Sequence, residues 1–218
     1  MMQGFALLFS REAQYRQWTS NRKSRTATET ETSIDSGARQ IFVTRMEERL
    51  PPAATLHDLE EKTIKKVLDI LFEPSPAFHT LLIPKIKQST SLTSYSSLAF
   101  LAKQSLQSLS PDSPILLSIL SAHPRLGAKK VDSTQSQNEQ KSLGSDSQRR
   151  ELEELNEEYE RKFPGLIYVV FVDGRGREVI MRDMRGRIEG STREEEVLRA
   201  IEAMCDIAVD RARKLGAE

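Results

Sequence analysis

The chain has 218 residues, enough for one large domain or for one ordinary domain with a tail. Its 32 basic and 32 acidic residues cancel, which removes any global electrostatic case for nucleic acid or an anionic membrane. No stretch reaches the roughly 18 apolar residues of a membrane span, and a single cysteine, Cys205, excludes internal disulfides and multi-cysteine metal sites.

Residues 1–48 differ in composition from the rest. A short apolar patch, Gly4-Phe5-Ala6-Leu7-Leu8-Phe9, precedes a polar stretch rich in Ser, Thr, Arg and Glu. Such a segment buries little, so it is expected to be a disordered leader, with the folded domain at 49–216. The patch has no basic run before it and no clear cleavage site after it, which argues against a secretory signal.

From about residue 50 the apolar period becomes helical. Ile64, Val67, Leu68 and Leu71 form an i, i+3, i+4, i+7 stripe. The run Phe72-Glu73-Pro74-Ser75-Pro76 breaks it, and Ser75 before Pro76 reads as an N-cap followed by a first-turn proline. A further break is expected near Pro84. Residues 94–109 read as a helix packed through Leu98, Leu101, Leu106 and Leu109. A turn at 110–114 then opens the apolar run that ends at His123.

His123 is followed by Pro124-Arg125-Leu126-Gly127. Proline biases its predecessor out of the helical region, so the helix should stop at or before His123 and leave the imidazole at its C-terminal rim. A group that titrates near neutrality suits proton transfer from such a position. Position alone still favours a buried histidine satisfied by a carbonyl. Ser136, Glu139 and Gln140 would share one side of a following helix, where a solvated face is the usual meaning of such a trio.

Residues 148–163 form another amphipathic stripe through Leu152, Leu155, Tyr159 and Phe163. The run Leu166-Ile167-Tyr168-Val169-Val170-Phe171-Val172 reads as a buried extended segment. Asp173-Gly174 signals a turn, and a hairpin between Leu166 and Met181 is compatible with the pattern. Gly174-Arg175-Gly176 is too short for a phosphate loop. The arginines at 175, 177, 182, 185 and 187 are interleaved with Glu178, Asp183 and Glu189, which weakens a polyanion-binding reading. In the last helix, 192–215, Val197, Ile201, Met204, Ala208, Arg211 and Leu215 recur at helical spacing. Arg211 therefore interrupts an apolar stripe, and a guanidinium there needs an anion: an Asp or Glu of the protein, or a ligand carboxylate.

The sequence Ser121-Ala122-His123-Pro124-Arg125-Leu126-Gly127, then Ser136-Gln137-Asn138-Glu139-Gln140, then Leu155-Asn156-Glu157-Glu158-Tyr159 with Phe163-Pro164, resembles the OHCU decarboxylase family. OHCU is 2-oxo-4-hydroxy-4-carboxy-5-ureidoimidazoline. The last helix is also similar to that family's, and the resemblance runs over roughly 50–215. It implies an all-α, single-domain helical bundle with one extended segment near 166–172. It implies cofactor-independent decarboxylation to (S)-allantoin in urate breakdown, with His123 as acid, Glu139 beside it and Arg211 gripping the substrate carboxylate. Pro124, Ser136, Gln137, Asn138, Gln140 and the backbone of Tyr168, Val169, Val170, Phe171 and Val172 would line the pocket. No cofactor and no metal are expected; the partner is a small ureidoimidazoline, and the family suggests a homodimer. A cytoplasmic setting is the expectation, with a peroxisomal one as the alternative, although the C-terminal Gly216-Ala217-Glu218 lacks a peroxisomal tripeptide. Two rivals are a helical interaction module that kept the fold without the activity, and hydrolysis of a hydantoin-like ring. His57 and His79, in separate segments, read as surface or packing residues.

Overall fold

Residues 49–128 and 146–217 are described by the structure, a computed structural model, and their regular elements are all helical. The expectations for residues 1–48 and for Ser136 to Gln140 lie outside the described residues. A short 3-10 turn, Ala53–Asp58, leads into α1 (Glu61–Phe72), whose predicted stripe of Ile64, Val67, Leu68 and Leu71 is buried together with Phe72. Helix α2 (Pro76–Gln88) begins as expected: the Ser75 hydroxyl accepts from the Phe78 amide, and Pro76 occupies the first turn.

The break expected at Pro84 does not occur, because α2 continues through it. Proline removes the hydrogen bond to the carbonyl four residues earlier, but Thr80 and Pro84 lie on the exposed side. Phe78, Leu82, Ile83 and Ile86 bury the opposite side on both halves of the helix, and that packing outweighs the loss.

Helix α3 (Tyr95–Gln107) is opened by a capping box between Ser94 and Ser97. Helix α4 (Pro114–Leu120) is a two-turn element that buries Leu116, Ile119 and Leu120. Helix α5 (Asp146–Lys162) leads to the extended run at 166–172, in which Leu166, Tyr168, Val169 and Val170 are buried. That run has no ladder partner among the described residues. The hairpin reading fails because Arg177–Gly190 is helical (α6), with Ile180, Met181, Met184 and Ile188 buried at helical rather than alternating spacing. Asp173 and Gly174, both at positive φ (44° and 70°), make the turn into it.

The longest element, α7 (Arg193–Lys214), starts at a capping box between Thr192 and Glu195. It packs chiefly on α3 and α1, and also touches α4, while α5 packs against α6. The arrangement brings the C-terminal end of α7 to the C-terminal end of α1. Cys205 is buried on α7, and burial pushes its thiol up to about 12, as a core residue rather than a nucleophile.

Candidate active site

His123 sits two residues beyond the α4 cap, in the loop that Pro124 enforces. It is buried, at 6% exposure, and neither ring nitrogen has a hydrogen-bond partner among the described residues. An imidazole in this condition costs stability, since buried polar atoms are ordinarily paired. Among the described residues, the carbonyl that a structural histidine would use is absent.

One face of α5 fixes the loop. The Asn156 side-chain amide donates to the carbonyls of Leu126 (3.0 Å) and Leu152 (2.9 Å). Arg125 pairs with Glu160 one turn further on. Gly127 lies against Leu152 with φ +83°, and a Cβ there would stand 2.8 Å from Leu152 Cδ2. Gly127→Ala is therefore expected to lower the unfolding free energy by about 1–3 kcal/mol through backbone strain and the local clash. An unchanged urea midpoint would show that the loop adapts freely.

Arg211 is reached from the other side. It is among the largest fully buried side chains, and Glu73 is buried with it. Arg211 Nη2 donates to Glu73 Oε1 at 2.7 Å, and Nη1 points to the carbonyls of Ile70 and Leu71, each at 3.3 Å. Those carbonyls belong to the last turn of α1, which leaves acceptors without intrahelical partners and carries the negative end of the helix dipole. Glu73 stands just past that helix with φ 75° and ψ 151°. This backbone region is nearly confined to glycine and costs on the order of 1–3 kcal/mol for other residues. Glu73 thus supplies Arg211 with one anion from the protein itself.

His123, Arg211 and Glu73 form one electrostatic unit. Burial is the chief influence on His123, and the nearby Arg211 charge adds to it, while Glu73 acts in the opposite sense; the net effect lowers its pKa to about 4. At pH 7 the imidazole is neutral.

A second polar network braces the extended segment. Tyr159 donates to Glu196 (2.7 Å), which also accepts from Arg199 (2.9 Å), and Tyr168 donates to Asp183. Arg187 joins them through Asp183 (2.8 Å) and lies 5.0 Å from the Tyr168 ring centroid. Burial is the main reason both tyrosine hydroxyls are pushed well above their usual range. Arg175 turns back onto the carbonyls of Phe171 and Val172. With Arg185 on Glu151 as well, much of the arginine cluster at 175–187 is engaged within the protein. His79, read as a surface or packing residue, contacts Asp69 at 2.6 Å between α2 and α1.

Of the expected site residues, His123 lies within electrostatic reach of Arg211, with the half-buried Pro124 adjacent to the first. The carbonyls of Phe171 and Val172 are held by Arg175, and Tyr168, Val169 and Val170 are core residues. Ser136, Gln137, Asn138, Glu139 and Gln140 fall outside the described residues. Sequence reasoning missed Glu73 and the clamping role of Asn156. For Glu73 a signal existed: a carboxylate set between an apolar helix end and a proline.

Fold and site define an all-helical protein with a buried histidine next to an arginine–carboxylate pair at the meeting of two helix ends. The OHCU decarboxylase family model matches residues 57–213, and the chain belongs to that family. Among solved structures it is similar to a crystal structure of (S)-allantoin synthase, at 21% identity and a TM-score of 0.55 over 76% of this chain. The likeness places the chain in the same fold, and it spans only 54% of that protein's length. No match was found among curated proteins.

Proposed function

We propose that this chain decarboxylates 2-oxo-4-hydroxy-4-carboxy-5-ureidoimidazoline to (S)-allantoin without a cofactor. Family membership supports the reaction, and the observation that carries it to particular residues is the buried His123, without a hydrogen-bond partner among the described residues and within electrostatic reach of Arg211. Arg211 orients the substrate carboxylate. The bond from ring carbon to carboxylate breaks, carbon dioxide leaves, and the electron pair passes into a ring whose C=N and carbonyl accept it. His123 then delivers a proton to one face of the carbon, which sets the S configuration.

A neutral histidine must first acquire that proton. An arriving carboxylate adds negative charge near His123 and raises its proton affinity, against the effects of burial and Arg211. Substrate and proton therefore enter together. By resemblance, Glu139 holds the histidine or accepts from the substrate hydroxyl. Pro124, Ser136, Gln137, Asn138, Gln140 and the segment Tyr168 to Val172 complete the pocket. The reading extends to a homodimer, on the same resemblance.

The test generates the substrate from urate with uricase and the hydrolase that follows it, and monitors circular dichroism. The expected result is (S)-allantoin appearing faster than the spontaneous racemic decay. A trace that matches the spontaneous one would refute the activity.

A further inference from the structure

We propose that Glu73 is a positioning residue for this reaction: its ion pair sets the Arg211 guanidinium against the end of α1 and offsets its charge, so the site orients a carboxylate without binding it too tightly to lose it. The inference rests on the decarboxylase reading for its chemical meaning.

The geometry is specific. Glu73 is 3% exposed, and Arg211 is 2% exposed, so solvent screens their 2.7 Å contact very little. Arg211 Nη1 meanwhile faces the Ile70 and Leu71 carbonyls. Two carbonyls and a carboxylate together fix the plane of the guanidinium. Glu73 holds this place in a backbone conformation that suits glycine (φ 75°), where strain in an over-determined setting points to function. Its charge also reaches His123, where it opposes that of Arg211.

Decarboxylation gives these facts a direction. The substrate carboxylate is a full anion, and carbon dioxide is neutral, so negative charge leaves the carboxyl group as the bond breaks. A cation held bare at that point would stabilise the ground state more than the transition state and slow the chemical step. With Glu73 paired, Arg211 aligns the carboxylate mainly by hydrogen-bond direction.

Glu73→Gln removes the charge and keeps an acceptor oxygen. Its kcat and KM are both expected to fall, each by about tenfold, with kcat/KM nearly unchanged. Glu73→Asp, which keeps the charge on a shorter arm, should recover more of the wild-type KM than Gln does. A purely structural role reverses that order, because Gln is the closer match in shape.

An arm independent of turnover uses hydantoin-5-acetate, a carboxylated ring that does not decarboxylate, and its neutral amide, titrated by calorimetry. The Gln variant should bind the carboxylate about tenfold more tightly than wild type and the amide equally. Equal carboxylate binding by both proteins, or a raised KM in the Gln variant, would overturn the assignment. If the wild-type protein fails to accelerate (S)-allantoin formation, the decarboxylase reading falls, while the binding comparison still decides whether Glu73 tempers Arg211.

Discussion

Glu73→Ala is expected to lower the unfolding free energy by about 3–5 kcal/mol, the range for breaking one side of a buried ion pair. The loss comes less from the missing contact than from what remains. Arg211 would keep the Ile70 and Leu71 carbonyls but lose the Glu73 charge, in a site from which water is largely excluded. Alanine does not relieve the backbone either, since it too disfavours φ 75°. Glu73→Gly separates the two effects: it loses the same countercharge but accepts the conformation, so it should be more stable than the alanine variant by about 1–2 kcal/mol. Urea denaturation at neutral pH measures both. A loss below about 1 kcal/mol in Glu73→Ala would mean that the guanidinium is satisfied without Glu73.

That pair also marks where the sequence is legible and where it stops. The apolar period identifies α1, α3 and α7 closely, because their apolar stripes are local features. Punctuation misjudges Pro84, where the deciding factor is which side of α2 faces solvent. The hairpin alternative misjudges 177–190, where the turn at 173–174 is read correctly but its sequel is not. In the site, Arg211 is conspicuous because a charge breaks an apolar stripe. Its partner is not, since Glu73 lies 138 positions earlier in the chain and pairs with it only through the packing of α7 on α1. Asn156 is hidden for a similar reason: its two acceptors are backbone carbonyls, which carry no sequence signal. His123 is legible as a rim histidine through Pro124, yet its neutral state follows from burial and from Arg211, neither of which is local.

His123→Gln should reduce the rate of (S)-allantoin formation by about 10²–10⁴-fold, the usual contribution of a positioned acid or base. It should also change stability in a direction that the electrostatics set. In the folded protein the imidazole has a pKa of about 4, below the ordinary 6.5, mainly because burial disfavours the cation and secondarily because Arg211 repels it. Between those two values the unfolded chain binds the proton and the folded one does not. The wild type therefore loses stability as pH falls from about 6.5 toward 4, by roughly 2 kcal/mol at pH 5. Stability is fully present above that window, the reverse of a histidine that gains an acidic partner on folding. Glutamine cannot titrate, so the variant should show a flatter stability profile over the same window while catalysis is lost at every pH. Chemical denaturation at a series of pH values gives the profile, and the dichroism assay gives the rate. A variant that kept the wild-type slope would show that other groups, not His123, bind the proton on unfolding. One that kept the rate would remove His123 from the chemistry and leave Arg211 and Glu73 as a structural pair.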